Sequence, residues 1–368
     1  MARLAPTEEA APPGRRFGRL DGLDLARALA FAGMLFAHFA FSLHADDPGW
    51  LQVVDEIADG RAAPVFCVLL GLGAGLLVAS GASDRVLVVR GALLAAIGLL
   101  IWPFVGVVYL ILPHYGLLLA IVPLLRRIPT AWLLPAALTA FVVPSIVTAV
   151  VDGHGLRLAP QPDSYTDLAD LAELGRVLAW TGGYPLVGWV GFVLVGLWLS
   201  RLRLGDRRVQ VVLFVAGSAV SLAQPLFRWA FGALGGLPVP TADRPGPAGG
   251  WSAFLDGSAH SNRFAWYVLG SATAVAVIGG CLLLVGSVPG RWKVPLVRLG
   301  QLALTVYLVH LFIGERWVWP WIADARPSLT TQVLVLSLVF CGLMAFATAW
   351  RLRFRRGPVE GAVRLISR

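Results

Sequence analysis

Apolar runs of about 20 residues recur along almost all of this 368-residue chain, and nothing else in it restricts the fold as severely. A run of that length, wound as a helix, spans about 30 Å, the thickness of a bilayer's hydrocarbon core. Inside hydrocarbon each backbone N–H and C=O must find its partner within the protein, so the expected unit is the α-helix. About ten such segments are predicted, near 23–44, 62–80, 88–105, 108–125, 130–150, 183–200, 209–234, 264–288, 297–314 and 329–350. With 57% hydrophobic and only 14% charged residues, the chain reads as an all-α integral membrane protein, a bundle of about ten transmembrane helices. Residues 91–125 are punctuated only by Pro103, Pro113 and His114. We read them as a hairpin, which keeps Arg90 and Arg126 on one side; a single crossing would separate them. Residues 1–22 hold Pro, Glu and Arg without an apolar core, which suits a disordered tail and not a cleavable signal. The transmembrane domain is expected over 23–350 and a basic tail over 351–368.

A net charge of +9 invites a nucleic-acid reading, but its placement argues otherwise. Arg15, Arg16 and Arg19 precede the first span, Arg126 and Arg127 follow the fourth, and Arg201, Arg203, Arg207 and Arg208 follow the sixth. Arg351, Arg353, Arg355, Arg356 and Arg364 crowd the C-terminal tail, while acids such as Asp46, Asp59, Asp163 and Asp170 fall in the opposite connections. By the positive-inside rule both termini are cytoplasmic, in a multi-pass protein of the plasma membrane whose basic charge sets topology. Cys67, Cys281 and Cys341 fall within predicted spans, without metal-ligand spacing, and read as small buried residues.

Ionisable residues inside the spans are the candidate functional groups, because each costs several kcal/mol in hydrocarbon. Arg27 and His38 are eleven positions apart in the first span; at 100° per residue they share a face, about 16 Å apart along the axis. Asp24, one turn before Arg27, is its natural ion-pair partner. In the ninth span His310 follows Tyr307 by one turn, with Gln301 and Thr305 nearby, and is expected to form a second wall of a polar cavity with His38. Arg61, opening the second span, can orient an acceptor, and Arg228, with Gln224 one turn before it, can face the cavity from the seventh. The competing accounts are snorkelling for the arginines and hydrogen-bonded packing for the histidines.

The stretch LDLARALAFAGMLFAHF (23–39) is similar to the opening helix of the acyltransferase 3 family, whose signature is an arginine and a histidine separated by ten residues. The segments 59–77, 181–202, 260–284, 299–313 and 350–364 resemble, in order, the YeiB-like bacterial membrane family, a relative of the heparan-α-glucosaminide N-acetyltransferases. The chain departs from YeiB-like sequences in carrying Leu110-Ile111-Leu112 where an acidic residue is common, and His38 where Asn is common. The resemblance implies a membrane-bound acyltransferase. The donor would be cytoplasmic acyl-CoA or acetyl-CoA, without a metal, and the acceptor a sugar or lipid outside or within the membrane. Membrane lipids and a small-molecule or glycan acceptor would then be the partners, with no nucleic acid. On that reading His38 and His310 are catalytic, His38 as base or acyl carrier. Arg27 and Asp24 bind the donor, with the guanidinium on its phosphates, and Arg61, Tyr307 and Arg228 meet substrate. The alternative is a multi-spanning transporter that uses the same polar line as its path, though no internal repeat supports it.

Overall fold

The computed structural model describes residues 14–39, 60–151, 165–233 and 259–367, with 254 and 257; side chains at 14–20, 148–151, 165–166 and 224–233 also lie outside the described set. In chain order the helices are α1 (Gly14–Phe39), α2 (Ala62–Ala79), α3 (Asp84–Ile101), α4 (Leu112–Ala120), α5 (Val122–Leu125) and α6 (Thr130–Val151). Next come α7 (Tyr165–Ala169), α8 (Leu171–Arg176), α9 (Leu186–Ser200), α10 (Arg207–Ala233) and α11 (Phe264–Leu284). The chain ends with α12 (Gly290–Gln301), α13 (Ala303–Ile313), α14 (Trp319–Ala325), α15 (Leu329–Arg353) and α16 (Pro358–Ile366). The described residues contain no strand.

Among the described residues six helices are long and apolar enough to cross a membrane, and two bent pairs bring the number to eight if each is one span. One pair is Leu171–Thr181 with Leu186–Ser200, bent by 53°; the other is Gly290–Gln301 with Ala303–Ala325, bent by 78°. Two of the predicted segments fall outside this group of eight. The segment near 209–234 corresponds to α10, and that near 108–125 to α4 and α5, a return limb shortened by the non-helical stretch 105–111. Arg126, after α5, bonds Asp84 at the start of α3 through two contacts of 2.7 and 2.9 Å. The chain from 84 to 126 therefore leaves one end of the bundle and comes back to it. Arg201 ties the same end together, donating to the carbonyls of Ile128 and Arg126 and to the Thr130 hydroxyl. Residues 45–59, 152–164 and most of 235–258 lie outside the described residues, and Asp170 caps the first turn of α8.

Helix α1 is the centre of the bundle, in contact with α2, α11, α12, α13 and α15. Its inward residues Leu23, Ala26, Phe31, Leu35 and Phe39 are buried, and small side chains such as Ala28 and Ala30 let neighbours approach. Helices approach closely where α2 crosses α9. Gly71 lies against the backbone of Val193, and Gly196 against that of Val68, so a Cβ at either would overlap main chain. Backbone cannot move aside as a side chain can, and overpacking of this kind costs about 1–3 kcal/mol. Gly71→Leu should therefore lower the thermal unfolding midpoint of the purified protein by several degrees, whereas Gly342→Leu, with open space around it, should leave the midpoint unchanged.

Candidate functional site

The polar line predicted on α1 finds its partners on other helices. Arg27 and Asp24 form an ion pair at i, i+3. Gly300 of α12 packs on the main chain of Asp24, an approach that leaves no room for a Cβ. The crossing brings Gln301 to the Asp24 carboxylate, and the Gln301 Oε1 accepts from Arg351 Nε at 2.8 Å. Four polar side chains from α1, α12 and α15 are thus strung from Arg27 to Arg351, which satisfies groups that none of these apolar helices could satisfy alone.

At the other end of α1, His38 Nδ1 lies 3.2 Å from His310 Nε2. The rings are inclined by only 20°, with centroids 5.3 Å apart. That spacing matches the N···N distance plus the half-width of each ring, so the bond runs edge to edge within the ring planes. His310 Nδ1 faces the carbonyl of Tyr307 at 2.5 Å. A carbonyl only accepts, so Nδ1 of His310 donates; with both rings neutral, its Nε2 accepts from Nδ1–H of His38. The remaining nitrogen of His38, Nε2, carries the lone pair. Phe31 stands edge-on to His310 at 5.4 Å and Trp319 edge-on to His38 at 6.4 Å, fixing both rings. Trp319 Nε1 also donates to the His38 carbonyl at 2.9 Å, closing one of the open carbonyls at the end of α1.

A single cavity of about 1010 Å³ joins the two groups. Asp24, Arg27, His38, Tyr115 and Tyr307 line its length. One end is walled by Arg90, Gln301, Arg351, Arg355, Arg356, Glu360 and Arg364, and the opposite end by Gly60, Tyr109, Tyr184 and His260. At the latter the rings of Tyr109, Tyr184 and His260 form a triangle with centroids 6.1–6.4 Å apart. The non-helical stretch beside them has its amides satisfied by Glu315, which accepts from Gly106 N–H at 2.7 Å and Val107 N–H at 3.2 Å. Irregular backbone at this depth is tolerated where it lines a cavity. Among the described residues there is no group of three or more His, Cys, Asp or Glu able to hold a metal ion.

Several expectations change against this geometry. His310 is fully buried behind His38 and does not face the cavity, because its two nitrogens are taken by His38 and Tyr307. Arg61 is buried and donates to the Thr273 hydroxyl at 3.3 Å; its neighbours Gly60, Ala62 and Ala63 line the cavity and it does not. Tyr307 lines the cavity. Arg228 falls on α10 among the side chains outside the described residues, as does Gln224. The arginines at 90, 351, 355, 356 and 364 escaped the sequence reading as site residues. Positive-inside bias explained them fully, and the one further signal was their density in the C-terminal tail.

A helical membrane bundle enclosing a long cavity, with an oriented imidazole in it and charge at one mouth, is the architecture of a membrane-embedded transferase or carrier. Residues 19–230 match heparan-alpha-glucosaminide N-acetyltransferase, catalytic, and residues 248–368 match a protein family of unknown function (DUF418). The first match covers more than half of the chain, which belongs to that acetyltransferase family and carries a YeiB-like C-terminal region. No curated protein matches the chain significantly.

The Asp24–Arg27 pair is partly exposed to the cavity, with side-chain exposures of 13% and 29%, so its worth is modest. Asp24→Ala should still destabilise, by about 1–3 kcal/mol, since it strands both Arg27 and Gln301. The double variant Asp24→Ala/Arg27→Ala should recover part of that loss, a non-additivity readable from thermal unfolding of the four proteins.

Proposed function

We propose that this chain transfers an acyl group from acyl-CoA, acetyl-CoA being the simplest case, to the hydroxyl or amine of a sugar or lipid acceptor, with His38 as general base. The observation that carries the reading is the hydrogen-bonded series Tyr307 carbonyl, His310, His38, which leaves the His38 Nε2 lone pair available beside a cavity open to both kinds of substrate. A histidine whose one nitrogen donates to a fixed acceptor has its other nitrogen held as base in a single tautomer. In the reaction the acceptor's oxygen or nitrogen attacks the thioester carbonyl carbon as His38 takes its proton. The carbon–sulfur bond breaks, and the imidazolium returns the proton to the departing thiolate, so the enzyme ends unchanged. His310 acts through His38 and is a positioning residue. The donor enters by the arginine-lined end and the acceptor by the Tyr109–Tyr184–His260 end, where flat rings suit the apolar face of a sugar.

Turnover of acetyl-CoA by detergent-purified protein tests this. His38→Ala should lose at least about a hundredfold in kcat, with donor affinity within twofold of the parent. His310→Phe preserves the packing against Phe31 but removes the acceptor for His38; kcat should fall while KM for the donor stays, a split that a mere packing role would not give. Undiminished acyl transfer by His38→Ala would end the base assignment. A folded parent protein that neither turns over nor binds acetyl-CoA would favour the transport reading.

The proposal also fixes orientation in the plasma membrane, with the arginine-lined end and both termini in the cytoplasm. Reporter fusions after Arg127, Arg208 and Arg368 should report cytoplasm, and fusions after Asp59 and Asp163 the outside. An external signal after Arg127 would reverse the 84–126 return and remove the ten-span topology.

A further inference from the structure

Residues 354–367 do not trail from the bundle. After α15 the chain turns at 354–357 and α16 folds back between α13 and α3. Its anchor is Glu360, whose carboxylate accepts from the N–H of Thr305 at 2.9 Å and from its hydroxyl at 2.5 Å, at the start of the helix that carries Tyr307 and His310. Arg90 Nε on α3 donates to the Ser367 hydroxyl at 3.0 Å, holding the far end of α16. The consequence is a concentration of charge. Six arginines line the cavity against two acids, Asp24 and Glu360, and both acids are engaged, one by Arg27 and the other by Thr305. Arg364 and Arg356 lie close enough to Arg90 to repel it. Like charges gathered at one mouth repel one another, and an anion that joins them relieves the repulsion.

We propose that α16 and the turn before it form a clamp for the phosphates of a nucleotide-borne donor: Arg90, Arg355, Arg356 and Arg364 grip the phosphoester groups at the mouth while the rest of the donor lies along the cavity toward His38. The assignment rests on the acyl-transfer reading for the identity of the carrier, and replaces Arg27 as the main phosphate contact, since Arg27 is held by Asp24 inside the cavity. Arginine suits the task because its planar fork binds phosphate oxygens in pairs and cannot lose its charge. The shared chemistry, a cluster of phosphate oxygens, also occurs in anionic lipid headgroups. The soluble nucleotide is favoured because the arginines line a cavity that continues to His38.

The probe is adenosine 3′,5′-bisphosphate, which has neither acyl group nor thiol, titrated calorimetrically into the full-length protein in detergent and in nanodiscs of neutral lipid. The native protein should bind it at least tenfold more tightly than adenosine, with affinity falling as salt rises. Arg356→Gln/Arg364→Gln should weaken it at least tenfold without shifting the unfolding midpoint, and Arg207→Gln/Arg208→Gln, away from the cavity, should leave it unchanged. Equal affinity for adenosine and its bisphosphate, or unchanged binding by the 356/364 variant, overturns the clamp. So does a variant that loses only its association with anionic-lipid vesicles, which assigns the arginines to headgroups. Bisphosphate binding without any acyl transfer would refute the catalytic reading and leave the clamp standing. Acyl transfer with an unaltered donor KM in the 356/364 variant would do the reverse.

Discussion

Helix α1 carries an ion pair and an imidazole through the middle of an apolar bundle, and the rest of the structure is arranged around satisfying them. A charged side chain at the centre of a bilayer-spanning helix costs about 2.5–3.5 kcal/mol even on the mildest scale. Asp24 and Arg27 meet that cost with each other and with Gln301, His38 with His310, and the open carbonyl at His38 with Trp319. Gln301, His310 and Trp319 all come from the region 300–319. Gln301 and His310 are nine residues apart, which in one straight helix would set them on opposite faces, and the 78° break beside Gln301 lets both meet α1.

That break joins the two family matches physically. The region resembling the acetyltransferase catalytic domain supplies α1 and the outward-facing imidazole, and the YeiB-like region supplies the partner that orients it, together with the arginines of the mouth. On the proposed acyl-transfer reading neither region alone would hold a complete site, and the arrangement would follow the logic of a catalytic triad, in which the group that reacts is oriented by a second and that by a third, here a backbone carbonyl in place of a carboxylate. A neutral carbonyl fixes the tautomer without adding charge to a site already far from water, where a buried carboxylate would need a counter-ion of its own.

The membrane class, the helical segments and the pairing of Asp24 with Arg27 were legible in the amino-acid sequence, because each depends on composition or on neighbours within four residues. The face shared by Arg27 and His38 follows from helical geometry alone. Arg61 was misjudged because burial against Thr273 is a contact across 212 positions, which no local pattern announces. The depth of His310 escaped for the same reason: spacing gives the side of a helix, and only the packing of α13 against α1 says whether that side is cavity wall or the layer behind it.

The C-terminal arginines mark the boundary most clearly. Their number and their crowding in the C-terminal tail were set by the sequence, since the energetics of inserting Lys and Arg act on each loop separately. Their convergence on one cavity was decided by tertiary structure, through the fold-back of α16 and the bond between Glu360 and Thr305, 55 residues apart. Charge placement along a chain is a local property, whereas a binding site requires residues remote in sequence to share a few ångströms, and only the packed bundle brings them there.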